Sequence, residues 1–113
     1  MASSSGGSLP SSRRMLKLTV IVKARDSYQG KPVIDLIVDL CHRSGITGAT
    51  VTHGARGYGA RGVARADVLG MSVNLPAIFE TVSDRDKIAM VLPEIRRMIG
   101  SNGLIMTSEV DVY

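Results

Sequence analysis

Residues 54–71, G-A-R-G-Y-G-A-R-G-V-A-R-A-D-V-L-G-M, hold the side chains best suited to chemistry in this chain. Five glycines and three arginines (Arg56, Arg61, Arg65) share the stretch with one carboxylate, Asp67. Closely spaced glycines let backbone N–H groups turn toward a ligand, and arginine offers a planar fork to phosphate or carboxylate. The expected ligand-binding set is Gly54, Arg56, Gly57, Tyr58 and Gly59, with Tyr58 either stacking on a planar ring or anchoring the loop on the fold. Arg61, Arg65 and Asp67 are the residues expected to meet a partner.

Other chemistries find less support. Gly57, Gly59 and Gly62 fit G-x-G-x-x-G formally, but a dinucleotide loop must open a helix within a parallel βαβ unit, and a strand follows here. His42 and His53 have no second histidine or cysteine at ligand spacing, so no metal is expected. His53 ends a strand beside the loop and reads as a hydrogen-bonding residue. No nucleophile–histidine–acid or paired-carboxylate arrangement follows from the spacing, which predicts a protein without catalysis. The lone Cys41 forms no disulfide and reads as a buried thiol, in keeping with a reducing cytoplasm.

Composition limits the partners. The chain has 113 residues, 44% hydrophobic and 21% charged, which suits one soluble domain. No apolar run reaches the ~20 residues of a membrane helix. The net charge of +4 is concentrated in the 54–71 stretch and at Arg13 and Arg14, which favours a local anion site over a broad nucleic-acid face.

Residues 1–14 are rich in serine and glycine and read as a disordered tail or an expression remnant; residues 15–113 form one domain. Leu16, Leu18, Val20 and Val22 alternate with polar or exposed partners, predicting a strand with one buried face. Pro32 opens a helix over about 32–44, with Val33, Leu36, Ile37, Leu40 and Cys41 at helical spacing and Gly45 as its stop. A second strand covers 48–53 and a third 77–82. Ser83 with Asp86 reads as a helix start, Ile88, Val91, Leu92, Ile95 and Met98 as its apolar stripe, and Gly100 as its end. Leu104, Met106, Val110 and Val112 form a last strand, with Glu109 and Asp111 facing out. The predicted class is α+β, a ferredoxin-like βαββαβ arrangement with two helices on one face of a four-stranded antiparallel sheet. Its second face, carrying Ile21 and one side of the third strand, would be apolar, so a homo-oligomer is expected.

Three stretches join the glycine segment in a resemblance: L-K-L-T-V at 16–20, Y-Q-G-K-P at 28–32 and G-I-T-G-A-T-V-T-H-G-A-R-G-Y-G at 45–59. Together they resemble the domain of unknown function 190 family, a branch of the PII-like (nitrogen-regulatory-protein-like) proteins. The resemblance implies a homotrimer of ferredoxin-like subunits with a long loop between the second and third strands. It also implies that this loop contacts a target protein while its base helps form a nucleotide site in the cleft between subunits. Carried over, 54–59 would lie at the loop base and 61–67 toward its tip. PII-type nucleotide sites also use a glycine- and lysine-rich turn after the second helix. Here that turn, 100–103, has no basic residue, and Arg96 and Arg97 stand in position to replace one. This weighs against ATP and leaves a smaller adenine nucleotide or another anion as effector. Two other classes fit the residues less well. A nucleic-acid-binding module would need base-stacking aromatics, and the chain has one Phe and three Tyr. An acylphosphatase-like enzyme would need a glycine-rich cradle that the 24–28 loop, for all its Arg25, does not provide.

Overall fold

The computed structural model describes residues 7–59, 62–65 and 74–113. Strand β1 (Arg13–Lys23) follows the alternation of its sequence: Leu16, Leu18, Val20 and Val22 are buried, and the residues between them are partly exposed. Two-residue strands β2 (Ser27–Tyr28) and β3 (Lys31–Pro32) then form a tight hairpin. Its two loop residues, Gln29 (φ 52°) and Gly30 (φ 81°), both adopt positive φ, the geometry that matches the twist of paired strands. Helix α1 (Val33–Arg43) starts directly after Pro32 and ends before Gly45, whose φ of 85° suits glycine. Asp39 and Arg43 pair one turn apart at 2.9 Å, as their spacing predicts.

Strands β4 (Thr50–His53), β5 (Arg56–Gly59), β6 (Gly62–Arg65) and β7 (Pro76–Ser83) follow, then helix α2 (Arg85–Ile99) and strand β8 (Leu104–Val112). The main sheet has the order β4-β7-β1-β8 with every neighbour antiparallel. This is the ferredoxin-like βαββαβ arrangement, with a β5–β6 ribbon placed between its second and third long strands. The start of α2 differs from the expectation in detail. Asp84, not Ser83, occupies the N-cap, and it makes no side-chain cap. Its carboxylate is taken by Arg13 Nη2 at 2.9 Å.

The core lies between the helices and one sheet face, with Phe79 of β7 among Leu18, Val20, Ile37, Ile88, Val91 and Ile95. Cys41 is 1% exposed within it, and burial pushes its thiol up to about 11 from its usual value near 9. Between pH 9 and 11 the unfolded thiol ionises while the folded one keeps its proton. The unfolded state then binds fewer protons, so stability falls as pH rises through that window. Urea midpoints at pH 8 and pH 10.5 check this: the fall expected for the native chain should be shallower in Cys41→Ala, whatever that variant's overall stability.

Strand β8 corrects an expectation. Register pairs Ile105, Thr107 and Glu109 with Val20, Leu18 and Leu16, so these residues share the helix-side face. Leu104, Met106 and Val110 pair with Ile21, Thr19 and Met15 on the opposite face. The acids therefore do not face out from an apolar-in strand; the apolar side is the uncovered one. Leu104 and Met106 are 59% and 45% exposed. The acids turn helix-side because cations meet them there. Arg14 donates to Asp111 Oδ1 at 2.8 Å and to Glu109 Oε1 at 3.0 Å, and Arg85 reaches Glu109 Oε2 at 2.9 Å. Asp111 first, then Glu109, raise the pKa of Arg14 further.

Candidate functional site

One end of the domain collects the features singled out in the sequence. The C-terminal ends of β1 and β4, the start of β7, the β2–β3 hairpin and the turn from α2 into β8 all lie there. The segment carrying the glycines and arginines leaves and returns at this end, and both legs are pinned. Gly54 N–H donates to the Pro76 carbonyl at 2.8 Å. On the returning side Ala24 N–H donates to the Leu75 carbonyl at 2.8 Å, and Arg25 N–H to Asn74 Oδ1 at 2.7 Å. A Cβ on Gly54 would come 3.3 Å from Pro76 Cγ, so the two legs run close together.

Beyond Gly54 the chain forms a β-ribbon rather than an irregular loop. β5 pairs with β6, and Arg56 lies opposite Arg65, Tyr58 opposite Val63, and Gly59 opposite Gly62. This alters the expected division into base and tip. Arg56 and Arg65 occupy one rung, at the end of the ribbon nearer the sheet. Tyr58 is 88% exposed, so it does not anchor the ribbon on the fold, and its ring is open to stacking. Arg61 and Asp67 lie outside the described residues.

The α2–β8 turn forms the second part of this end. Gly100 closes the helix with φ 60°, and its N–H bonds to the Arg96 carbonyl at 2.9 Å. Gly103 sits so near β1 that a Cβ there would lie 2.7 Å from the Ile21 carbonyl oxygen. Between α2 and β8 is an open cleft of about 260 Å³, lined by Leu92, Arg96, Ile99, Ile105 and Thr107. The structure separates the two arginines that the sequence grouped. Arg97 is held by Glu94 at 2.8 Å, whereas Arg96 makes no ion pair among the described residues. Sequence reading did not single out Lys31. It is exposed on the β2–β3 hairpin at the same end, again with no ion pair among the described residues. Its signal was present in the Y-Q-G-K-P stretch, but only the topology shows which end the hairpin occupies.

His53 ends β4 next to Gly54 and is exposed. Among the described residues no group of three or more His, Cys, Asp or Glu could hold a metal ion. No helix among them is long and apolar enough to cross a membrane.

Comparison with known proteins bears on this geometry. The model of the DUF190 family, described as uncharacterized ACR, matches residues 15–112. A UPF0166 protein of Methanocaldococcus jannaschii is 41% identical over 96 residues, 85% of this chain and 89% of that protein. A UPF0166 protein of Aquifex aeolicus is 28% identical over 96 residues, 84% and 90% of the two chains. Among solved structures, the nitrogen regulatory PII-like protein CPII from Thiomonas intermedia, bound to ADP, AMP and bicarbonate, superposes with a TM-score of 0.72. It is 14% identical, with 90% of this chain and 91% of that chain covered. A PII-like signaling protein from Thermus thermophilus superposes with a TM-score of 0.58 at 17% identity, covering 88% and 87% of the two chains.

Proposed function

The chain belongs to the DUF190 family and has the fold of PII-like proteins, and from that premise we propose that it is a non-enzymatic regulatory protein responding to a small anionic effector. The effector is an adenine nucleotide, held at clefts between the subunits of a homotrimer. Gly54, Gly57 and Gly59 present backbone N–H groups to its phosphates, Arg56 pairs with phosphate charge, and Tyr58 stacks on the ring. Arg65 joins Arg56 from the opposite strand, while Arg96 supplies charge from the α2 end. The rest of the 54–71 segment, with Arg61 and Asp67, contacts a target protein, and its position changes with occupancy.

The observation carrying this reading is the arginine- and glycine-bearing ribbon pinned to the sheet end of a fold that a relative in shape uses to bind ADP and AMP. Nucleic-acid binding through the sheet is disfavoured by the makeup of the uncovered face. Its positions on β1, β4, β7 and β8 carry no aromatic residue, since Phe79 is buried on the helix side.

A thermal-shift panel of ATP, ADP, AMP and cyclic nucleotides tests the nucleotide assignment. A bound nucleotide at one hundred times its Kd should stabilise the fold by about 2.7 kcal/mol, raising Tm by roughly 10 °C or more. ADP or AMP is expected to do so more strongly than ATP, given the short turn at 100–103. An unmoved Tm across the panel rejects a nucleotide effector.

A further inference from the structure

The uncovered sheet face mixes apolar residues with Thr19, Thr50, Thr52 and Ser108, and an ion pair stands at its middle. Ile21, Ile78, Val82, Leu104, Met106 and Val110 project from this face, three of them on the central strands β1 and β7 and three on β8 beside β1. Among them Lys17 Nζ meets Glu80 Oε2 at 3.1 Å, both side chains about 40% exposed. Lys17 lies opposite Val82, so Glu80 is its diagonal neighbour across the β1–β7 pair. The other cations on this face lie at the ends of β1: Lys23 at one, and Arg13, already bound to Asp84, at the other.

We infer that Lys17–Glu80 is a specificity-determining pair for self-assembly: a second copy of this chain covers this face, and the pair sets the orientation in which copies pack. The inference rests on the homo-oligomer proposed above. The face itself points to a second copy rather than to a charged partner. Its central charges neutralise each other within one chain, so two copies meet without like-charge repulsion, and an acidic or basic partner finds no unpaired charge there. Covering the face removes water from the ion pair. Desolvated, the pair tolerates only packings that keep both partners bonded, whereas an all-apolar face would accept several.

In the separate subunit the same pair is solvated and contributes little to folding. This difference provides the test. Masses of the full chain are measured by light scattering over a dilution series for the native protein, Lys17→Glu, Glu80→Lys and the double exchange, with circular dichroism to confirm folding. The native chain should form trimers. Each single exchange should keep the fold and assemble ~10-fold or more weakly, because it buries two like charges. The double exchange should recover native assembly. Glu80→Gln, which alters shape least, should weaken assembly in the same direction. Native-like assembly of the folded single exchanges and of Glu80→Gln overturns the inference while leaving the trimer intact. A native chain that stays monomeric overturns the trimer reading and the inference with it.

Discussion

Gly103→Ala should lower the stability of the domain by about 1–3 kcal/mol, seen as a fall in Tm on the order of 10 °C. The added methyl would lie 2.7 Å from the Ile21 carbonyl oxygen and 3.0 Å from both Ile99 Cγ2 and Val22 Cγ1. The nearest contact is backbone in the central strand β1, bonded on both sides, so it cannot move aside as a side-chain tip would. Relief must come from shifting the start of β8 or the last turn of α2. Either movement also disturbs the cleft that holds Arg96. Gly48→Ala is the matched control, because its Cβ would meet nothing within 4 Å. Its Tm should be unchanged or slightly higher, since alanine narrows the unfolded ensemble. Equal Tm values for the two variants would mean that the close approach of β8 to β1 is wrong.

Removing the arginine rung should have an effect of similar size on binding rather than on folding. A hydrogen bond to a charged group is worth about 1.5–3 kcal/mol, so Arg56→Ala or Arg65→Ala should weaken effector affinity roughly 10- to 100-fold. The two positions face each other across the ribbon, so their losses should not add. Stability should hold or rise slightly, because each change ends the opposition of like charges. Arg97→Ala is the informative comparison. Its side chain is already engaged by Glu94, and the change should leave affinity near native. Titration calorimetry with ADP of the native chain, the three single variants and the double Arg56→Ala/Arg65→Ala variant separates these outcomes.

The fold was readable because its period-2 and helical patterns are strong and rarely interrupted. The buried residues of β1 and most of the apolar stripes of α1 and α2 fall where their spacing put them, although Ile34 is buried while Leu36, Leu40 and Leu92 are only partly so. β8 shows what patterning omits. Alternation divides a strand into two sides, but only the neighbouring strand's register shows which side the helices cover. At the start of α2, Asp84 takes the N-cap in place of Ser83, and its carboxylate is bound by Arg13, 71 residues away in the chain, a contact no local signal records. The β5–β6 ribbon escaped notice because glycine is depleted in strands and its density suggests an irregular loop. Arg56 was legible as an anion-binding residue from its type alone. Its pairing with Arg65, the separation of Arg96 from Arg97 and the placement of Lys31 all required the folded chain.

The central claim, that copies of this chain assemble to bind an adenine nucleotide between them, is tested most directly by native mass spectrometry with increasing ADP. The spectra should show a trimer gaining one, two and then three nucleotide masses, with the added mass remaining that of intact ADP. A monomer at all concentrations, or a trimer that gains no nucleotide mass while the fold is intact, would contradict it.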